Sequence, residues 1–180
     1  MPGSYSVQSI DDLAYLEALG IDINKNGLYT VTFQFTMPNS SGEKISSEVA
    51  PIITNSVDAP SLDSAISLMN AYISKEINLS HCKIIVISEE LASQNISNLL
   101  YSLMNKTQLR PSCNVIISKS TAKDFIKNVQ PNLENLIAKF YEIAPISGKY
   151  TGYTSNIKLG EFFNQFISKT GQPTAMLRFC

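Results

Sequence analysis

The residues best suited to chemistry are one histidine and three cysteines. His81 is the only histidine and directly precedes Cys82, while the other two cysteines are Cys113 and Cys180. A neighbouring imidazole can activate a thiol as a nucleophile. Adjacent residues on a strand, however, point to opposite faces of the sheet, so these two side chains are not expected to meet. We therefore predict no catalytic residues. One histidine and three scattered cysteines are also too few ligands for a metal site, and we expect no cofactor.

Cys82 and Cys113 occupy equivalent positions in two similar segments, each just before an apolar β-branched run. If the two runs are neighbouring strands in register, the two thiols approach each other. They would then either form a disulfide or remain two reduced thiols that pack as small hydrophobic side chains. We favour the reduced pair, and the odd number of cysteines argues against a full disulfide framework.

Polar residues follow both apolar runs and form a second candidate site. The runs cover residues 84–87 and 115–117. The carboxyl ends of parallel strands can border a ligand crevice. The side chains that would edge this crevice for a small polar ligand or a partner are Ser88, Glu89, Ser118, Lys119 and Ser120.

The glutamates at this edge argue against two further kinds of site. Glu89 and Glu90 open a helix, where acidic residues are usually solvated and favoured by the helix dipole. We therefore do not interpret them as a catalytic carboxylate pair. No glycine-rich loop follows either strand, and two glutamates would repel a phosphate group.

The two runs belong to a β-α-β unit, because about 26 residues between them allow a helix and a right-handed return. We expect Ser88 to cap one helix and Ser120 or Thr121 to cap the next. The buried stripe of the first helix is expected to consist of Ile96, Leu99, Leu100, Leu103 and Met104.

Upstream of this unit, residues 13–22 and 28–37 flank Asn24 to Gly27, which predicts a hairpin whose second strand is half-buried. Residues 44–54 are expected to form an edge strand, because they contain Pro51.

Four further segments complete the expected elements. Helices are predicted at 61–76, with Ser61 as the N-cap, at 132–143, and at 159–167, closing near Gly171. The tail after residue 173 can form a strand. The expected fold class is therefore mixed α/β, or α+β: a mixed sheet with an N-terminal hairpin, a β-α-β unit and helices packed on the sheet.

The composition fits one globular domain. The chain has 180 residues, 44% hydrophobic and 16% charged, with a net charge of −1. Only two arginines are present and no basic surface is expected, so nucleic-acid binding is disfavoured. No apolar run is long enough to cross a bilayer, and the first residues lack the features of a signal peptide.

The C-terminal region is rich in aromatic side chains, and we favour core packing over a contact surface as their role. These residues are Tyr150, Tyr153, Phe162, Phe163 and Phe166.

Four phrases resemble the N-terminal domain of the Ger(x)C family of spore germination lipoproteins, the C subunits of germinant receptors. LAYLEALGID at 13–22 resembles the family's opening strand, and LSHCKIIVISEELA at 79–92 its strand followed by a Glu-Glu-Leu-Ala helix start. RPSCNVIISKSTAKDFI at 110–126 and KLGEFFNQFISKTGQPTAMLRF at 158–179 resemble later segments in the same order. Ser80 departs from the pattern, since the family commonly has glycine there.

The resemblance implies a non-enzymatic, membrane-anchored lipoprotein subunit that is needed for nutrient-triggered germination. Such subunits are made with a signal peptide, carry a lipid such as palmitate on a cysteine, and lie on the outer face of the spore inner membrane. Their partners are the integral-membrane A and B subunits of the receptor. The alternative is a small-ligand-binding α/β domain of an extracytoplasmic lipoprotein.

The resemblance also gives the expected domain limits. Tyr5 and Ser6 match the residues that follow the family's lipid-bearing cysteine. Residues 5–180 are therefore expected to be a single domain, with 1–4 a cloning remnant. Full-length members carry further domains.

Overall fold

The computed structural model describes residues 13–36, 52–129, 137–143, 157–168 and 175–178. Several expectations lie outside these residues. They are the cloning remnant at 1–4, the first part of the third strand at 44–51, the start of the helix at 132–136, Tyr150, Tyr153, the helix end near Gly171, and Cys180.

Eight strands in the described ranges form one mixed sheet. They are β1 (Leu13–Ile23), β2 (Tyr29–Thr36), β3 (Ile52–Ala59), β4 (Glu76–Asn78), β5 (Ile84–Ser88), β6 (Asn114–Ser118), β7 (Ile157–Lys158) and β8 (Met176–Arg178). The main order is β3-β2-β1-β5-β6-β7. The short strands β4 and β5 pair with successive parts of β1, and β7 and β8 with successive parts of β6.

The N-terminal hairpin is confirmed. β1 and β2 pair antiparallel, and the Asn24 side chain accepts hydrogen bonds from the backbone N–H groups of Asn26 and Leu28 in the turn. Gly27 has a φ of 75°, which glycine adopts without strain. The pairing register shifts between Leu16 and Ala18, so β1 contains a bulge at Glu17.

The β-α-β unit is also confirmed, with β5 and β6 parallel and Ile84 opposite Asn114. Its crossover contains two helices instead of the one expected: α2 (Glu89–Ala92) and α3 (Ser97–Met104). The break falls where Asn95 accepts hydrogen bonds from the N–H and hydroxyl of Ser97. Such local side-chain bonds compete with helix continuation and restart the helix beyond them.

Helices cover both faces of the sheet. The first face carries α1 (Leu62–Ile73), α2, α3 and α6 (Leu159–Ile167), and the second carries α4 (Ala122–Asn128) and α5 (Ile137–Ile143). Alternate residues of β5 serve the two cores: Ile85 and Ile87 face the first, and Ile84 and Val86 the second. This double coverage explains the continuous apolar run of β5. The expected fold class is confirmed.

The second helix layer also corrects the expectation for β2. Val31, Phe33 and Phe35 point into the first core as the alternation predicts. Thr32 and Gln34 on the other side are buried as well, so the strand is not half-buried. Gln34 accepts a hydrogen bond from the Tyr141 hydroxyl and donates to the carbonyl of Ile126, so α4 and α5 cover this polar face.

Other boundaries differ modestly from expectation. β3 lies at the edge of the sheet as expected but runs to Ala59. Ser61 caps α1 by accepting a hydrogen bond from the N–H of Ser64, and the helix ends at Ile73, earlier than expected. β4 and β7 have only three and two residues, too short for their sequence pattern to indicate them.

Gly20 lets α4 approach the centre of the sheet. A Cβ at this position would lie 2.8 Å from Cδ1 of Ile126 and 3.3 Å from both Cβ and the carbonyl oxygen of Ala122. Cδ1 of Ile126 is the end of a side chain that can rotate away, but both Ala122 contacts are tighter than ordinary Cβ contacts and one of them is to the backbone, so a larger residue would press against the start of α4.

Replacing Gly20 with alanine should therefore destabilise the protein by about 1–3 kcal/mol. Urea unfolding followed by circular dichroism measures this change. Gly27→Asn is the control, because nothing lies within 4 Å of its added Cβ and asparagine tolerates a positive φ. An unchanged unfolding midpoint for Gly20→Ala would contradict the close approach.

Candidate functional site

Three polar side chains form a buried row at the carboxyl ends of the central parallel strands. Ser88 on β5 pairs in register with Ser118 on β6. Asp22 on β1 follows Ile21, which pairs with Ile87, so it lies beside Ser88. All three residues are buried on the face that α4 covers.

The Asp22 carboxylate binds the start of α4. One oxygen accepts a hydrogen bond of 2.6 Å from the N–H of Ala122, and the other accepts one of 3.0 Å from the N–H of Lys123. Thr121 is the N-cap, as one of the two expected alternatives, and accepts from the N–H of Asp124. The first N–H groups of α4 are thus satisfied by the protein itself.

Burial raises the pKa of Asp22, while the hydrogen bonds from Ala122, Lys123 and Ser88 lower it. A raised pKa means that the ionised carboxylate is less stable in the fold than in water. The N–H groups of α4 offset part of that cost. Sequence analysis missed this residue, although its position directly after an apolar strand was a usable signal.

The five residues of the expected crevice divide into a buried and an accessible group. Ser88 is buried and accepts a long hydrogen bond of 3.4 Å from the N–H of Leu91 as the N-cap of α2. Ser118 is buried and lies 3.0 Å from the hydroxyl of Ser120. Glu89 and Lys119 are exposed, and Ser120 is half-buried. Glu89, Lys119 and Ser120 thus lie at the carboxyl ends of β5 and β6 and are accessible there. Their role in binding remains a prediction.

A polar cleft of about 380 Å³ lies at the opposite, amino ends of β5 and β6. Sequence analysis did not find it, because the lining residues are scattered over several loops and elements. They comprise three cations, one carboxylate, two thiols and three neutral polar groups: Lys83, Arg110, Lys158, Glu142, Cys82, Cys113, Ser80, Ser112 and Asn114.

Most of the charged side chains in this cleft have protein partners. Lys83 forms an ion pair of 2.6 Å with Glu142 of α5. Lys158 donates a hydrogen bond of 2.5 Å to the side-chain oxygen of Asn114, whose amide donates to the carbonyl of Tyr141. The cleft is therefore held by contacts that tie β5, β6, β7 and α5 together.

A buried carboxyl group lies close to the cleft, at the bulge of β1. Glu17 is 6% exposed, and one of its oxygens accepts a hydrogen bond of 2.8 Å from the Thr36 hydroxyl. The other oxygen has no hydrogen-bond partner among the described residues. Burial raises the pKa of Glu17, although Thr36, Lys83 and His81 lower it.

His81 ends a short 3₁₀ helix (Leu79–His81) and Cys82 follows it before β5, so neither residue lies on a strand, contrary to expectation. The Sγ atoms of Cys82 and Cys113 lie 3.7 Å apart, which confirms that the two thiols approach, and both are free. The His81 ring is exposed and packs edge-on against Tyr15. The hydrogen bond with Cys113 and burial raise the pKa of Cys82, so its thiol is a poor nucleophile at neutral pH.

Within the described ranges, no three histidine, cysteine or acidic side chains are grouped so that they could hold a metal ion. No helix in those ranges is long and apolar enough to cross a membrane.

Changing Asp22 to asparagine should destabilise the protein by about 1–3 kcal/mol, because the amide would place a donor against an N–H of α4. Asp124→Asn is the matched control: this first-turn residue is exposed, and its loss should cost only a few tenths of a kcal/mol. Thermal and urea unfolding compare the two variants. Equal effects would contradict the buried cap.

Glu17 should make stability depend on pH. Because its pKa is raised in the fold, the native state binds the proton more tightly than the unfolded chain. The free energy of unfolding should therefore fall as pH rises from below the ordinary value of 4.5 to above the raised pKa. Glu17→Gln should lose this slope and exceed the parent in stability at neutral pH.

Unfolding midpoints across a pH series measure this effect. Thr36→Val is a companion variant, because removing the hydroxyl that opposes burial should extend the falling region to higher pH. If Glu17→Gln and the parent show parallel pH profiles, the carboxyl group is not the source of the dependence.

Comparison with known proteins relates this fold to spore germination. A family model described as "Spore germination protein N-terminal domain" matches residues 6–177. Spore germination protein KC of Bacillus subtilis is 23% identical over 137 residues, which cover 73% of this chain and 34% of that protein. Spore germination protein B3 of the same organism is 24% identical over 133 residues, with 72% and 34% covered.

The chain thus spans about a third of the length of these two relatives. No solved structure matches it significantly. The family match extends from before β1 to the second residue of β8, and so includes both strand ends and the cleft. The chain belongs to the Ger(x)C family of spore germination proteins and corresponds to the N-terminal domain of its members.

Proposed function

We propose that this domain is a non-enzymatic part of a spore germinant receptor, in a lipoprotein subunit needed for nutrient-triggered germination. The observation that carries the proposal is the family match over residues 6–177, which covers nearly the whole chain. The two relatives are themselves named spore germination proteins. On this proposal residues 5–180 act as one domain.

The use of the polar groups supports a scaffold over an enzyme. At the carboxyl strand ends, Asp22 accepts hydrogen bonds from the first N–H groups of α4, and Ser88 accepts one from an N–H of α2. At the amino ends, Lys83 is paired with Glu142. These groups therefore stabilise the fold, and the proposed function lies in the surface that the fold displays.

The proposed setting is the outer face of the spore inner membrane. A lipid such as palmitate, on a cysteine exposed by signal-peptide removal, would anchor the subunit beside the integral-membrane A and B subunits. One acyl chain gives only marginal and reversible membrane binding. Contacts between this domain and its partners would therefore add to its retention.

We propose the accessible strand-end group, Glu89, Lys119 and Ser120, as a partner contact. The aromatic C-terminal region is a weaker choice, because Phe162 is buried and Phe163 packs edge-on against Tyr101 at 5.2 Å between ring centres. Those two rings belong largely to the core, in agreement with the core-packing role that we favoured from the sequence.

Reversing the two charges with Glu89→Lys and Lys119→Glu should lower nutrient-triggered germination by several-fold while leaving the fold intact. The double variant would be expressed in a strain lacking the native subunit, and germination followed by the loss of optical density. Receptor assembly would be measured by co-purification of the A and B subunits. Glu76→Lys is the control, because this exposed residue of β4 pairs with Leu13 at the opposite, amino end of β1.

Wild-type germination and subunit recovery in the double variant would rule out this contact. Loss of the subunit from spore membranes in the control as well would show a general charge effect instead.

The cleft favours a second candidate, a small-ligand-binding domain. Its volume of about 380 Å³ is in the range of small-molecule sites. A ligand at a hundred times its dissociation constant should stabilise the fold by about 2.7 kcal/mol. Thermal unfolding with a panel of amino acids and sugars tests this candidate, and no shift across the panel would contradict it.

A further inference from the structure

We propose that Cys82 and Cys113 form a disulfide in the native protein, by exchange with a low-molecular-weight disulfide that enters through the cleft. The site is independent of the proposed function. It requires two thiols close enough to bond, a route for the oxidant, and a place where a bond does not distort the fold.

The two sulfurs are close to bonding distance. Their separation is 3.7 Å, and a disulfide requires about 2.05 Å. Both cysteines stand just before adjacent parallel strands, and the register places Cys113 level with Lys83, one position after Cys82. The hydrogen bond from the N–H of Asn114 to the carbonyl of Lys83 holds the two chain segments together, and rotation of the side chains would have to bring the sulfurs together across the offset of one residue.

The cleft provides the route. Cys82 and Cys113 are 5% and 3% exposed, and both line the cleft wall. The sulfurs themselves are buried, and this cleft wall is the proposed route by which a small molecule comes within reach of them. Lys83, Arg110 and Lys158 also line it, against one carboxylate from Glu142. This surplus of positive charge favours an anionic oxidant.

The reaction balances as two exchange steps. The thiolate of one cysteine attacks a sulfur of the small disulfide, forming a mixed disulfide and releasing one small thiol. The second cysteine attacks the protein sulfur of that mixed disulfide, closing the bond and releasing the second small thiol. The two protein thiols lose two electrons and two protons, and the small disulfide becomes two thiols.

The bond would link residues 31 positions apart and tie the entry to β5 to the entry to β6. Closing a loop of this length restricts the unfolded chain. The oxidised protein should therefore unfold at a temperature roughly 5–10 °C above that of the reduced protein. Because the hydrogen bond with Cys113 and burial raise the pKa of Cys82, oxidation should also become faster as pH increases toward alkaline values.

The test uses the 180-residue chain with Cys180→Ser, which leaves only the two cysteines in question. The folded protein is treated with dithiodiglycolate, an anionic disulfide. Intact mass should show the loss of two hydrogen atoms, and peptide mapping without reductant should find Cys82 linked to Cys113. Added Cys82→Ser or Cys113→Ser should stop the reaction at a mixed disulfide or prevent it.

Peptide mapping of the parent keeps the test decisive even if a buried serine prevents folding. Unreacted thiols, a mixed disulfide only, or a linked pair that forms only in denaturant would overturn the proposal. A linked pair without a rise in Tm would overturn it too, since the bond would then distort the native strands.

The route is tested by comparing oxidants of opposite charge. Dithiodiglycolate should react several-fold faster than the cationic cystamine at low ionic strength, and added salt should reduce the difference. Arg110→Gln should also reduce it, because this exposed cation lines the cleft. Equal rates for the two oxidants in the parent would overturn entry through the cleft.

Discussion

The bonds from the Asp22 carboxylate to the start of α4 are the interaction on which the second layer of the protein depends. The carboxylate is buried at the end of β1, and both of its oxygens accept N–H groups of α4. A buried charge without partners would be far too costly to retain, so the helix must stay where its N–H groups meet the acid. Gly20, two residues earlier, leaves the space for that approach. Once α4 is positioned, its residues complete the core over β5 and β6.

Each residue of the segment around Gly20 and Asp22 has a structural role. In Leu19-Gly20-Ile21-Asp22, the two aliphatic side chains enter the first core while the glycine and the acid serve the second face. This phrase lies in one of the segments that resemble germination proteins, and its residues fill the first core and position α4.

Sequence patterns predicted the elements with clear periodicity or turn chemistry, and failed where tertiary contacts decide. The hairpin, α1, the parallel pair and the Thr121 cap each follow from local signals. The burial of Thr32 and Gln34 does not, since polar residues on a strand normally indicate solvent and only α4 and α5 reverse that. Of the candidate sites, the carboxyl edge was predictable because strand ends align. The cleft was not, because Lys83, Arg110, Glu142 and Lys158 come together only through the crossing of β5, β6, α5 and β7.

The bulge at Glu17 also determines which side chains of β1 face each core. Leu16 and Leu19 face the same core although they are three positions apart, because the strand contains one residue more than its alternation requires. Residues before the bulge meet the first core at even positions and those after it at odd positions, as Ala14 and Ile21 show. A homologue with one residue fewer at this point would lose the bulge and alternate regularly, and Leu16, Leu19 and Asp22 would each keep the face they occupy here. One residue fewer elsewhere in the strand would instead turn one half of it over and carry Asp22 away from α4. The bulge is therefore the one place in β1 where a single-residue length change leaves both faces in order.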